Sequence, residues 1–287
     1  MEENEDKDAN FEEQLKLFED MEVPYKRTKN EVWEAMSQKM LEPPVKKIIP
    51  LNLTKWLAAA VIIVVSSLGF MRFYTTTIYA VNGAHLACIL PDNSMIRLNA
   101  GSNVSYAPYW WMFERALSLE GEAFFEVEKG SKFVVNSTFG YTEVLGTSFN
   151  IYARDTAYQV FCKTGKVGVH TTCSDQFIIL KPNEKVVLSN KVLTKEIGVD
   201  EKASMGWIKE QFYFNNVNLI RVLEELERQY NVKIDFDREL IGKSNYYTGL
   251  FAREKNIQSV LEITTATFDL NLVKINEKTY NISKRAE

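Results

Sequence analysis

The chain has 287 residues, of which 46% are hydrophobic, and a net charge of −4, which allows two or three folded domains. Residues 1–55 hold thirteen acidic and nine basic residues, so this segment carries the whole net charge and the remainder is neutral. Because no basic patch is present, we expect no direct contact with nucleic acid. The three cysteines, Cys88, Cys162 and Cys173, do not form a disulfide framework and are expected to be buried free thiols.

The N-terminal segment predicts two short amphipathic helices. In the first, apolar residues recur every three or four positions, at Phe11, Leu15, Phe18 and Met21, until Pro24 ends the pattern. Helices this short cannot form a stable core alone, so their apolar faces need another surface. That surface is either the other helix, the membrane or a protein partner.

The second helix is predicted to begin at Thr28, because Glu31 three residues later completes a capping box. Its apolar stripe consists of Val32, Trp33, Met36 and Met40. We favour a protein partner that receives this stripe in a groove. The acidic character of the segment argues against anionic lipid and favours a partner with a basic surface.

The segment Trp56–Met71 has no charged residue and no proline, and Ser66 and Ser67 are its only polar side chains. Extended to include Leu53 and Phe73, it makes a helix of about 32 Å, enough to cross a bilayer core of about 30 Å. A buried core helix and a cleaved signal peptide are the alternatives. A buried core helix usually keeps a polar face, and a cleaved signal peptide would need an unusually long charged region here. We therefore predict an uncleaved transmembrane helix.

Basic residues predict the orientation of this helix. Lys46, Lys47 and Lys55 precede it, whereas only Arg72 lies just after it. Because basic residues remain on the cytoplasmic side, the N-terminus is predicted in the cytoplasm and everything after Tyr74 outside it. We therefore expect a single-pass membrane protein.

Between residues 80 and 190 the apolar pattern changes to alternation, as in Arg115–Leu119 and Ala123–Val127. Such runs recur every eight to twelve residues between turn signals such as Pro91-Asp92-Asn93. The pattern predicts an all-β domain, either a sandwich or a solenoid-like stack.

Four glutamates in this region invite a catalytic interpretation, namely Glu120, Glu122, Glu126 and Glu128. We interpret Glu120-Gly121-Glu122 as a turn. Even-numbered strand positions point to one face, so the four carboxylates are more simply a solvated strand edge than a catalytic pair.

Four segments of this region have a recognisable sequence: LPDNSMIRLNAGSNVSY (Leu90–Tyr106), RALSLEGEAFFEV (Arg115–Val127), KFVV (Lys132–Val135) and VLGTSFNI (Val144–Ile151). They resemble the FecR family of membrane-spanning regulators of extracytoplasmic-function (ECF) sigma factors. They occur in the order and spacing of the family. One departure is Asn93, where the family usually has glycine after Pro-Asp.

Some members of the resembled family cleave themselves at a Gly-Thr bond, which points to Gly146 and Thr147. A threonine hydroxyl after a small, strained glycine can attack the preceding carbonyl. The alternative is a glycine bulge followed by an ordinary strand threonine. Apart from this bond no catalytic motif is present, and we expect the protein not to be an enzyme.

Residues 191–204 are expected to form a linker, and residues 205–287 a small α+β domain in the order β-α-β-β-α-β-β. Asn218 is expected to cap the first of its helices. The segments Phe212–Ile234 and Thr248–Phe251 resemble the C-terminal domain that follows FecR domains in Bacteroidetes-type members. They are also similar to the signalling domain of TonB-dependent transducers and secretins.

The predicted organisation is a membrane-anchored, mainly β protein. It comprises a helical cytoplasmic tail (1–52), one transmembrane helix (53–74), a periplasmic all-β FecR domain (80–190), a linker and a periplasmic α+β domain. The resemblance implies an anti-sigma factor that relays a signal from a TonB-dependent outer-membrane transducer to transcription. Release of the sigma factor would follow cleavage by membrane proteases or a conformational change.

The resemblance also implies two partner surfaces. The sigma-binding residues would be Phe11, Leu15, Phe18, Val32, Trp33, Met36 and Met40. The residues that bind the signalling domain of the transducer would be Phe212, Phe214, Tyr246 and Tyr247.

Two other classes of function stay open. An anchored module that binds envelope glycan or peptidoglycan would use an aromatic cluster formed by Tyr106, Tyr109, Trp110 and Trp111. A membrane-tethered enzyme would need a pocket of titratable groups, for which no motif is present. We expect no cofactor and no metal, because His85 and His170 lack ligand-like neighbours.

Overall fold

The structure is a computed structural model that describes residue 16 and residues 27–41, 51–241, 245–253 and 256–284. The chain divides into two compact units, residues 1–62 and residues 63–287. The predicted first helix, with Phe11, Leu15 and Phe18, lies outside the described residues.

The first unit contains helix α1 (Lys29–Leu41), which begins as predicted. The Thr28 backbone N–H donates to Glu31 Oε2 (2.8 Å), and the Glu31 N–H donates to Thr28 Oγ1 (3.4 Å). This reciprocal pair is the predicted capping box, which satisfies two backbone donors at the helix start.

Helix α2 (Leu51–Phe73) has 23 residues and includes the predicted apolar segment. Within it, Asn52–Phe73 has a mean hydropathy of 1.9, and none of it is buried against the rest of the protein. Among the described residues, α2 is the one helix that is long enough and apolar enough to cross a membrane.

Thirteen strands follow and form what we call the sandwich domain. They are β1 (Thr76–Ala80), β2 (Leu86–Ile89), β3 (Met95–Leu98), β4 (Ser102–Tyr106), β5 (Arg115–Glu126), β6 (Phe133–Ser137), β7 (Gly140–Val144), β8 (Ser148–Arg154), β9 (Ala157–Thr164), β10 (Val167–Thr171), β11 (Phe177–Leu180), β12 (Glu184–Ser189) and β13 (Val192–Ile197). β13 pairs with β12, so part of the expected linker is a strand of this domain.

Strand β5 belongs to two sheets at once. Its first half pairs with β4 and with β6, which runs parallel to it, and its second half pairs with β3 and β8. In the first sheet, β1 lies next to β4, and β6 is followed by β7, β10 and β11. In the second sheet, β8 is followed by β9, β12 and β13. Apolar side chains from both sheets, among them Leu117, Phe125, Ile151 and Val169, form one core. Of the two predicted arrangements, the structure is therefore the sandwich.

The change of sheet occurs at Gly121, where φ is +105°. The expectation of a turn at Glu120-Gly121-Glu122 was wrong, because the strand continues through a bend. A Cβ at Gly121 would lie 2.5–2.8 Å from Oγ, Cβ and Cα of Ser102 on β4. Glycine is therefore required both by the backbone angle and by the close approach of the neighbouring strand.

The predicted turn at Asn93 is confirmed. Asn93 has φ +66°, the left-handed conformation that asparagine tolerates. The departure from glycine at position 93 therefore leaves the turn intact.

The rest of the second unit is the C-terminal domain. Its elements are α3 (Glu201–Met205), a 3₁₀ turn (Gly206–Lys209), β14 (Gln211–Asn218), α4 (Leu219–Tyr230), β15 (Lys233–Phe236), α5 (Arg238–Ile241), β16 (Tyr246–Ala252), α6 (Ile257–Ala266), β17 (Leu270–Asn276) and β18 (Thr279–Lys284). Asn218 Oδ1 accepts the Ile220 N–H (3.0 Å) and caps α4 as predicted.

The long elements of this domain follow the predicted order, but they do not form one sheet. β14 pairs with β16 in a two-stranded sheet, whereas β15, β18 and β17 form a three-stranded sheet. Helices α4 and α6 contribute Val222, Leu226 and Val260 to a core shared with both sheets.

We predict that Gly121→Ala lowers the free energy of unfolding by about 2–4 kcal/mol, since the new methyl group collides with β4 and the backbone angle is strained. The measurement is thermal or urea unfolding of the full chain in detergent. Gly198→Ala is the control, because Gly198 also has positive φ (+70°) but no atom lies within 4 Å of the position that a Cβ would take there. That variant should lose only about 1 kcal/mol; equal losses would contradict the steric argument.

Candidate functional site

The apolar stripe of α1 is exposed in the first unit. Val32, Trp33, Met36 and Met40 all present large hydrophobic side chains to solvent, and Trp33 is 73% exposed. A helix that exposes tryptophan and methionine side chains on one face has the composition of a helix that docks in a groove.

The four aromatic residues predicted to bind a transducer do not form one surface. Phe212, Phe214 and Tyr247 are buried, and only Tyr246 is exposed. The reason is strand alternation: Phe212 and Phe214 share the inner face of β14, where Phe214 lies against Tyr247 of the paired strand with ring centroids 6.2 Å apart. As a correction, three of the four residues are core residues of the C-terminal domain.

The aromatic cluster considered for glycan binding is also divided. Trp111 is buried, and its ring packs edge-to-face on Tyr106 (5.4 Å) and Phe133 (5.7 Å). Tyr109 is exposed and Trp110 is half-buried on the other side of the same segment. The four rings therefore do not line one concave surface.

The sandwich domain and the C-terminal domain share a buried interface within the second unit. Phe124 on β5 and Phe161 on β9 point away from the sandwich core and join the apolar core of the C-terminal domain, next to Met205, Trp207 and Phe212. Apolar contact between the two domains is therefore continuous with the core of the smaller one.

Glu122 lies at the centre of the polar part of this interface and is only 7% exposed. The Asn99 side-chain amide donates to Glu122 Oε2 (2.7 Å), and the Asn150 amide donates to Oε1 (2.8 Å). The interpretation of Glu122 as part of a solvated edge was therefore wrong. The reason is that the C-terminal domain covers the outer face of β5 after Gly121, whereas Glu120 before it is exposed.

Helix α4 extends this network from the other domain. Gln229 Nε2 donates to Asn99 Oδ1 (2.7 Å) and to Glu225 Oε1 (2.7 Å), and Asn150 donates to the Ser204 carbonyl (2.9 Å). Side chains from the two domains are therefore hydrogen-bonded directly to each other.

His85 and Arg253 add a second connection. The two ring nitrogens of His85 lie 3.0 Å from Gln229 Oε1 and 3.1 Å from Glu210 Oε1. Arg253 donates to Glu210 Oε2 (2.8 Å) and to the Gly83 carbonyl. His85 thus has a structural role, but one that sequence reasoning could not place, since its partners are more than a hundred residues away.

The interface holds two carboxyl groups in different states. Burial, followed by repulsion from Glu225, raises the pKa of Glu122 to about 7 despite the positive charge of Arg154. Burial also acts to raise the pKa of Glu225, but the attraction of Arg228 and then Arg154 lowers it below its ordinary value overall. Glu122 therefore changes charge near neutral pH, and Glu225 stays ionised there.

A cleft of about 190 Å³ opens along this interface and is lined by both domains. Three of the polar atoms around it, Asn150 Oδ1, Ser204 Oγ and Trp207 Nε1, are buried and have no hydrogen-bond partner among the described residues. Both domains therefore contribute to the wall of the cleft.

The Gly146-Thr147 bond lies just before β8. Gly146 has φ +150°, and a Cβ there would lie 2.9 Å from Lys129 Cα and 2.7 Å from its Cγ. Thr147 is buried, and its Oγ1 has no hydrogen-bond partner among the described residues. The hydroxyl is thus free of competing hydrogen bonds next to a glycine that other residues cannot replace.

All three cysteines are free, as expected. Only Cys162 is buried; Cys88 is half-buried and Cys173 is exposed. Burial raises the pKa of the Cys162 thiol to about 11, so this thiol is unreactive at neutral pH.

Two family models match the second unit. The model described as FecR protein matches residues 76–168, and the model described as FecR, C-terminal matches residues 211–282. Together they span more than half of the chain. The chain belongs to the FecR family.

Solved structures with the same fold include two crystal structures of a candidate anti-sigma factor from Parabacteroides distasonis, determined at 2.50 Å and 1.65 Å. Each shares 29% sequence identity with this chain. The similarity covers 100% of the solved chain and 74% of this one. The TM-scores are 0.67 and 0.66. No curated protein matches the chain.

The raised pKa of Glu122 predicts a pH dependence of stability. Its contribution is complete below the unfolded value of 4.5 and is lost as pH rises through about 7, a loss of about 3 kcal/mol at most. Urea unfolding between pH 5 and pH 8 should therefore show wild-type stability falling with pH, and a flatter profile for Glu122→Gln. Glu120→Gln, at the exposed neighbouring position, should keep the wild-type slope. Identical slopes in all three proteins would contradict the assignment.

Proposed function

We propose that this protein is a membrane-anchored anti-sigma factor. The observation that carries the proposal is the combination, in one chain, of both FecR domains with a long apolar helix and an exposed apolar helix face before it. The similarity to a candidate anti-sigma factor of known structure supports it. In this proposal α2 crosses the inner membrane once, with the N-terminus in the cytoplasm and the FecR domains in the periplasm.

The cytoplasmic partner in this proposal is an ECF sigma factor. The stripe formed by Val32, Trp33, Met36 and Met40 supplies the contact, together with Phe11, Leu15 and Phe18 of the preceding segment. Burial of exposed tryptophan and methionine side chains gives binding energy without requiring the tail to form a core of its own. The acidic segment around the stripe favours a basic partner surface.

The periplasmic partner in this proposal is the signalling domain of a TonB-dependent transducer. Since Phe212, Phe214 and Tyr247 are buried, we assign the contact to the outward side of β16, where Tyr246 and Leu250 are exposed. Within the described residues β16 pairs with β14 alone, so its other edge can accept a partner strand. A changed contact there would be followed by proteolysis or a conformational change that frees the sigma factor.

We predict that Trp33→Ala with Met36→Ala weakens sigma-factor binding at least about tenfold, because two central apolar contacts are lost. The tagged full chain is purified in mild detergent from the source cells, and retained proteins are identified by mass spectrometry. Glu34→Ala with Gln38→Ala is the matched control, since these residues lie on the opposite side of α1. Absence of any sigma factor from the wild-type sample, or equal loss in both variants, would overturn the proposal.

A second proposal concerns self-cleavage at Gly146-Thr147, favoured by the positive φ of the glycine and the buried Thr147 hydroxyl, which has no hydrogen-bond partner among the described residues. Thr147 Oγ attacks the Gly146 carbonyl carbon, the C–N bond breaks, and the hydroxyl proton passes to the amine that leaves. Water then hydrolyses the resulting ester, which yields a Gly146 carboxylate and a new N-terminal Thr147. No outside oxidant or reductant is needed.

The expected products are a fragment that ends at Gly146 and one that begins at Thr147, identified by intact mass and N-terminal sequencing. Thr147→Ser keeps a hydroxyl and should still be cleaved, whereas Thr147→Ala should remain full-length. Detection of full-length wild type alone, in cells and after purification, would end this proposal. Cleavage of Thr147→Ala at the same bond would assign the cut to a separate protease.

A further inference from the structure

The segment between β4 and β5, residues 107–114, exposes an unusual amount of apolar surface. Trp111 points into the sandwich core, but Tyr109, Met112 and Phe113 point outward, and Met112 is 82% exposed. The Trp110 ring packs against that of Phe113 in a tilted arrangement, with ring centroids 4.7 Å apart. We call the outward residues Tyr109, Trp110, Met112 and Phe113 the aromatic loop.

The aromatic loop lies beside the C-terminal end of helix α2. The ring of Tyr109 is 6.0 Å from that of Phe70 and 5.4 Å from that of Tyr74. The Arg72 guanidinium lies over the Trp110 ring at 5.9 Å. The apolar surface of the loop is therefore continuous with the apolar surface of the helix.

The charges next to the loop compensate each other. Arg72 Nη2 is 3.7 Å from Glu114 Oε2, and Glu114 is the one charged residue in residues 107–114. Anionic headgroups would add little to the free energy of binding of such a surface to a membrane. Most of that free energy would come from burial of apolar and aromatic side chains. Aromatic side chains with a polar edge prefer the boundary between hydrocarbon and water.

We propose that the aromatic loop is embedded in the interfacial region of the periplasmic leaflet, so that the sandwich domain rests on the lipid bilayer. The proposal rests on the membrane anchoring by α2 proposed above. Lipid is the occupant that the geometry favours, because the helix end that contacts the loop is where the chain leaves the hydrocarbon core. Arg72 is then held at headgroup level between the Trp110 ring and Glu114.

The test uses the full chain in nanodiscs of phosphatidylcholine. In a Cys88→Ser, Cys173→Ser background, single cysteines are introduced as Met112→Cys, Val64→Cys and Ile197→Cys and are spin-labelled; Cys162 is buried and does not react. Ile197 on β13 is the matched control, with an exposed fraction of 79% against 82% for Met112. The measurement is the relative accessibility of each label to oxygen, which dissolves in lipid, and to a water-soluble nickel chelate.

We expect the labels at positions 64 and 112 to be more accessible to oxygen, and the label at position 197 to the nickel chelate. The result at position 112 should not change when anionic lipid is added. If position 64 reports lipid but position 112 reports water, the loop proposal is overturned while the anchoring holds. If position 64 reports water, the anchoring itself fails.

A label at position 112 that is reached by neither reagent would mean that protein covers the loop, either a second copy or another partner, and would also overturn the proposal. Because Met112 is exposed, the substitution should leave the fold intact, which circular dichroism of each labelled chain checks. Phe113→Cys gives a second label in the loop and should reproduce the result at position 112.

Discussion

The bend of β5 at Gly121 is the constraint on which the second unit depends. A single strand of twelve residues supplies pairing partners to both sheets, so neither sheet can be complete without it. The bend requires the absence of a side chain at Gly121, because β4 passes within 2.8 Å of where a Cβ would lie. Beyond the bend, the outer face of the same strand carries Glu122 and Phe124 beneath the C-terminal domain. Strand geometry in the larger domain thus sets the surface on which the smaller one is held.

The contact between these domains combines two kinds of interaction with different consequences. Phe124 and Phe161 contribute apolar burial, which is strong but does not define an orientation. Glu122, Asn99, Asn150 and Gln229 add hydrogen bonds with defined directions, and each must be satisfied once it is buried. A buried carboxyl group costs free energy that a hydrophobic residue would not. The interface is therefore specific in geometry but less stable than an apolar one.

Local signals in the sequence were sufficient for local structure. The capping box at Thr28, the cap at Asn218, the turn at Asn93 and the strand alternation each depend on neighbouring residues, and the structure contains all of them. The exposure of individual side chains was less predictable. Glu120 and Glu122 occupy equivalent positions in the alternation, yet only one is covered by a domain that begins about eighty residues later. Phe214 and Tyr246 differ because Phe214 lies on the inner face of β14, whereas Tyr246 lies on the outward face of β16. The transmembrane orientation and the partner surfaces remain predictions.

The junction between helix α2 and the sandwich domain is very short. Only Tyr74 and Thr75 separate the last residue of the helix from β1, and β1 is paired along its whole length with β4. A connection of two residues is too short to act as a flexible linker. Any rotation or tilt of the sandwich domain would therefore be transmitted to the end of helix α2 instead of being absorbed by the connection. A movement of that domain would thus act on the helix mechanically, through two residues of chain.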